Sequence, residues 1–65
     1  MLDFRKKREE AGLNQSQLAE KIGISRQAIS KIELGMAKPT VENAKKLGEI
    51  LHFDWTELYE DKVHS

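Results

Sequence analysis

Sixty-five residues make one small domain, and a chain of this size buries little surface, so its stability is modest unless a disulfide, a metal or a partner subunit adds to it. Cysteine is absent, which excludes disulfides and thiolate metal sites, and no apolar run approaches a signal peptide or a membrane span, so the expectation is a soluble cytoplasmic protein. Formal net charge is zero, yet residues 1–46 hold ten Lys and Arg against six Asp and Glu while residues 47–65 hold one against five; the chain is polarised, and a nucleic-acid partner stays open.

Apolar residues recur at helical spacing almost throughout and nowhere alternate with period two, so the class is all-α. The pattern divides into five helices. The first runs roughly from Leu2 to Ala11, with Phe4 and Ala11 inward and Gly12 as its stop, after which Leu13 enters the core. Asn14 caps the second, with Gln17 placed to complete a capping box and Leu18, Ala19 and Ile22 as the buried stripe. Gly23 ends it, and only Gly23 and Ile24 precede Ser25, the cap of a third helix with Ala28, Ile29 and Ile32 inward. Gly35 closes that helix. Thr40 caps the fourth, which sets Val41, Ala44, Leu47, Gly48 and Leu51 on one side, Gly48 suggesting close packing. Asp54 with Glu57 forms a last capping pair for a short fifth helix bearing Trp55, Leu58 and Tyr59, and the domain is expected to span residues 1–61 with a frayed tail at 62–65.

Two short helices joined by a tight glycine turn can present the second of them to the DNA major groove. At 100° per residue, Arg26, Gln27, Ser30 and Lys31 point away from the inward stripe of the third helix. Arg and Lys donate to guanine O6 and N7, Gln pairs with adenine, and Ser serves either, so this is a base-reading face, although an exposed polar face could equally be no more than solvated. The run Arg5, Lys6, Lys7 and Arg8 fans around its helix and reads as a solvated face, not a nucleic-acid patch.

The segment LNQSQLAEKIGISRQAISKIELG, residues 13–35, resembles the lambda-repressor-like helix-turn-helix family of phage repressors and bacterial XRE-type regulators. Gln15, Leu18, Ala19, Gly23, Ile24, Ile29, Ile32, Glu33 and Gly35 fit its pattern, as do Arg8, Pro39 and the closing LHFDWTELYE, with the helix-turn-helix itself at about residues 15–34. The resemblance implies a compact five-helix bundle in which Arg26, Gln27, Ser30 and Lys31 approach bases, while Asn14, Gln15 and Lys38 grip the sugar-phosphate backbone, the first two beside an electropositive helix N-terminus. Arg8 and Glu33 match positions that pair internally and fix the angle of the third helix. The chain departs from the pattern at Lys7, where leucine is common, at Leu34, where a polar residue is common, at Asn43 in the fourth helix's capping box, and at His52, where glycine is frequent.

No catalytic constellation is visible and an enzyme is not expected; His52 and His64 lack the neighbours a metal site needs, and neither a cofactor nor a small-molecule ligand is implied. The expected activity is sequence-specific binding of double-stranded operator DNA in transcriptional regulation, most simply repression, by a bacterial or phage-encoded protein that joins the nucleoid when bound. One reading helix covers few base pairs, so a homodimer on an inverted repeat is expected, with Ile50 and Trp55 as its contact; Trp55 could equally cap the core. The competing function is a protein-interaction module, antitoxin-like or a co-regulator, that would use Leu34, Met36 and Trp55.

Overall fold

The computed structural model describes residues 2–59. Among them are four α-helices and no strand: α1 (Phe4–Glu10), α2 (Gln15–Ile22), α3 (Arg26–Glu33) and α4 (Val41–Leu51), followed by a 3₁₀ helix over Trp55–Tyr59. Each α-helix starts on a polar side chain that accepts a hydrogen bond from a first-turn N–H, which would otherwise lack a partner. Asp3, Asn14, Ser25 and Thr40 fill these places, and at Asn14 the box closes reciprocally with Gln17.

The apolar stripes converge on one core of Phe4, Leu18, Ala19, Ile22, Ile29, Ile32, Leu47 and Leu51, with Leu18, Ile29 and Leu47 fully enclosed. Leu13, Ile24, Ile50, Phe53 and Leu58 pack partly buried against it. Phe4 of α1 meets Phe53, just after α4, edge to face with ring centroids 6.2 Å apart. The helix α2 packs chiefly on α3, and the 3₁₀ helix on α4.

Four details differ from the sequence expectation. The fifth element is a 3₁₀ helix, so the bundle has four α-helices and not five. The Asp54 carboxylate is spent on the Thr56 N–H and hydroxyl, two residues on, and the Glu57 N–H bonds the Asp54 carbonyl at 2.9 Å, which is the tighter i to i−3 closure. Ala11 is exposed, because α1 stops at Glu10 and the chain turns away before a further helical turn could reach the core. Val41, the first residue of α4, is 51% exposed, since that turn projects beyond the core reached by Ala44 and Leu47. Ala28 is half-buried where full burial is the expectation. The expected domain end at residue 61, the tail 62–65 and His64 lie outside the described residues.

At the close of α4, His52 adopts a left-handed backbone (φ 63°, ψ 58°), the conformation that explains why glycine suits this position. Gly48 lies against the returning chain: a Cβ there would stand 2.8 Å from the Phe53 carbonyl oxygen and 3.0 Å from Trp55 Cβ. No helix among the described residues is long and apolar enough to cross a membrane.

Candidate nucleic-acid interface

The geometry of the turn between α2 and α3 sets the direction of the outward face of α3. Gly23 takes a left-handed conformation (φ 91°, ψ 31°), and both its N–H and that of Ile24 donate to the Ala19 carbonyl, at 2.8 and 3.0 Å. A side chain at such a φ would be strained. Ile24 then drops partly into the core and Ser25 Oγ accepts the Ala28 N–H at 3.1 Å, so only Gly23, Ile24 and Ser25 separate the end of α2 from the start of α3. Burial of Ile29 and Ile32 fixes its rotation.

With that rotation, Arg26, Gln27 and Lys31 are exposed on the outer side and Ser30 is half-buried at its edge. Asn14 is exposed at the start of α2, with its Oδ1 accepting the Gln17 N–H at 2.7 Å and its own N–H donating to Gln17 Oε1 at 2.9 Å. The Asn14 side-chain oxygen is therefore engaged as a cap, which leaves the amide N–H groups of this exposed side chain for a further acceptor. Lys38 is exposed in the segment between α3 and α4.

Arg8 and Glu33 meet in the interior, Nε to Oε2 at 2.5 Å and Nη2 to Oε1 at 3.5 Å, their side chains only 9% and 7% exposed. Arg8 Nη1 also donates to the Leu13 carbonyl at 2.8 Å, so one guanidinium ties α1, the turn after it and α3 together. Among the described residues no buried side-chain nitrogen or oxygen lacks a hydrogen-bond partner.

Gln15 joins this interior pair to the outer face, a connection that sequence reasoning missed. Its Nε2 donates to Glu33 Oε1 at 3.1 Å and its Oε1 accepts Arg26 Nη1 at 3.4 Å. No local signal announces such a link, since residues 15, 26 and 33 come together only when α2 has packed on α3. A second missed contact is the Tyr59 hydroxyl, which donates to the Pro39 carbonyl and pins the 3₁₀ helix to the segment carrying Lys38.

Ile50 and Trp55 are each half-buried, and each is partly used within the fold. Ile50 packs against the core, and Trp55 stands edge-on to Tyr59 at 6.1 Å with Lys45 Nζ 5.5 Å from its ring centroid. Their remaining surface faces outward on the acidic end of the chain, away from the cations of α3 in sequence.

Two helices set by a tight glycine turn, with the second turned donors-outward, define a helix-turn-helix protein, and the chain belongs to the helix-turn-helix family, whose model it matches over residues 4–58. It is 44% identical over 58 residues to the "Uncharacterized HTH-type transcriptional regulator YqaF" of Bacillus subtilis (strain 168), the match covering 89% of this chain and 76% of that protein. No solved structure matches the chain significantly.

Proposed function

We propose that this protein is a DNA-binding transcriptional regulator that reads a specific sequence through α3 in the major groove. The observation that carries the reading is the outward face of α3: Arg26, Gln27 and Lys31 are exposed on one side while Ile29 and Ile32 are buried on the other. Guanidinium, amide and ammonium groups are the donors that pair with base edges, each good pair giving roughly 1–3 kcal/mol of discrimination. The Bacillus subtilis relative, named as a transcriptional regulator, agrees with this reading.

In the proposed complex Arg26, Gln27, Ser30 and Lys31 contact bases, and Asn14, Gln15 and Lys38 contact phosphates on either side of the groove. The protein acts as a repressor in the cytoplasm, occupying an inverted-repeat operator as a homodimer with the domain ending near residue 61. The exposed parts of Ile50 and Trp55 form the twofold contact, which keeps the acidic end of each subunit clear of phosphate. Sedimentation of Trp55→Ala at micromolar concentration checks that contact, and a persisting dimer would remove Trp55 from it.

Selection from a randomised duplex pool at near-physiological salt, comparing the wild type with the Arg26→Ala, Lys31→Ala double variant, tests the main proposal. The expected result is an inverted repeat with half-site centres about 34 Å apart, absent from the variant's selection. A folded wild-type protein that enriches no sequence would overturn it. That outcome would favour the protein-interaction module instead, for which Leu34 and Met36, each 70% exposed, supply apolar surface.

A further inference from the structure

The outward face of α3 continues beyond Lys31. Leu34 lies seven positions after Gln27, close to two full helical turns, which returns it to within about 20° of Gln27 around the axis. Its backbone is still helical (φ −84°, ψ −3°), and its N–H donates to the Ser30 carbonyl at 3.0 Å. Leu34 therefore extends the stripe that carries Gln27, Ser30 and Lys31, about 10 Å further along the helix. It is 70% exposed, although Ile29 and Ile32 on the opposite side of the same helix are buried.

A row of hydrogen-bonding side chains that ends in an apolar one has a counterpart in the major groove. Thymine is the base that presents a methyl group there, and an apolar side chain is the group that reads it. The 10 Å step is well beyond the rise of about 3.4 Å between neighbouring base pairs, so Leu34 would face a different pair from the one opposite Gln27. The charge beyond it fits the same occupant: Lys38, which follows Leu34 in the chain, is an exposed cation suited to the phosphates that rim the groove.

The geometry points to Leu34 as a specificity-determining residue that reads the C5-methyl group of one thymine in the operator. This rests on the reading that α3 enters the major groove. It adds a discrimination that the donors of α3 do not supply, because Lys31 and Gln27 address heteroatoms of the base edge, whereas Leu34 gains only from a carbon that is lost when thymine is replaced by uracil.

The test uses the full chain and its selected duplex, with each thymine of one half-site replaced singly by deoxyuridine, and compares the wild type with Leu34→Ala. Because Leu34 is exposed, Leu34→Ala should keep the wild-type helical signal and melting curve. At one position the wild type is expected to bind the uracil duplex about fourfold more weakly, the worth of one buried methyl group, while Leu34→Ala binds both duplexes alike. The assignment is overturned if Leu34→Ala retains every wild-type response to uracil, or if it weakens all duplexes equally, which would place Leu34 on the sugar-phosphate edge. A variant that binds every duplex as the wild type does would overturn it too. Failure of the wild type to select any sequence would instead remove the underlying DNA reading, and with it the assignment.

Discussion

The two ends of this molecule are held together by different physics. The unit of α2, its turn and α3 is organised by polar atoms: two side-chain caps, a reciprocal box at Asn14 and Gln17, and the interior Arg8–Glu33 pair that reaches Arg26 through Gln15. The corner of α4 and the 3₁₀ helix is organised by shape, with a glycine that admits a carbonyl, a histidine in a left-handed turn, and Trp55 and Tyr59 stacked edge to face. Polar organisation fixes directions, which a reading helix needs. Shape organisation fixes a close approach and leaves aromatic surface at the edge.

Removing a charge from the first end should have the largest effect. With Glu33→Ala, the Arg8 guanidinium would keep its bond to the Leu13 carbonyl but lose its counter-charge in a nearly closed site. A broken buried pair costs about 3–5 kcal/mol, a large share of what a domain this small holds. Thermal unfolding followed by circular dichroism should show a fall of more than 10 °C, or a chain already partly unfolded at 25 °C. Replacing both partners with apolar residues, Arg8→Met with Glu33→Leu, should recover much of the loss, because no lone charge is then left inside. A single variant that melts like the wild type would mean that the pair is solvated and that the first end is not held by it.

The corresponding change at the second end is Gly48→Ala. The added methyl meets the backbone oxygen of Phe53 at 2.8 Å, and backbone yields less readily than a side-chain tip. Overpacking of this kind costs about 1–3 kcal/mol, which exceeds the gain of nearly 1 kcal/mol that alanine brings over glycine inside a helix. A higher midpoint in urea for Gly48→Ala would show that the corner relaxes freely and that the contrast between the two ends is overstated.

His52→Gly should act in the opposite direction. Glycine adopts the left-handed conformation at φ 63° without the Cβ penalty, and a stabilisation of about 1 kcal/mol should raise the melting temperature by roughly 4–8 °C. An unchanged midpoint would place His52 among the residues for which this conformation carries little strain, and would sharpen the contrast by leaving Gly48 as the corner's main constraint.

The same division decides what was legible in the sequence. Caps and helix stops are local, so Asn14 with Gln17, Gly23, Ser25 and Thr40 could be read directly, and the rotation of α3 followed from Ile29 and Ile32. The pairing of Arg8 with Glu33 was accessible only through family resemblance, because nothing local connects residues 25 positions apart. Gln15 was read as a phosphate contact, and its bridging role depends on α2 packing on α3. At the second end the fifth helix was misread, since an Asp followed by Glu three positions later looks like a capping box whether or not the carboxylate turns first to a threonine.

That diversion predicts the smallest effect and the most local one. The Thr56 hydroxyl, and then the Thr56 N–H, hold the Asp54 carboxyl below its ordinary value of 3.8. A depressed carboxylate stabilises the fold above its ordinary pKa and loses that contribution as pH falls through the folded value, so the effect of Asp54 should begin to fade below about pH 4 and be gone only below its lowered folded value. Thr56→Val keeps the N–H and removes the hydroxyl, and should therefore raise the Asp54 pKa part of the way back, as followed by the carboxyl carbon shift in an NMR titration. Because Asp54 is exposed, the melting temperature at neutral pH should barely change. If the variant left the Asp54 titration unmoved, the hydroxyl would not be holding the carboxylate, and the 3₁₀ geometry of the last segment would depend on something other than this bond.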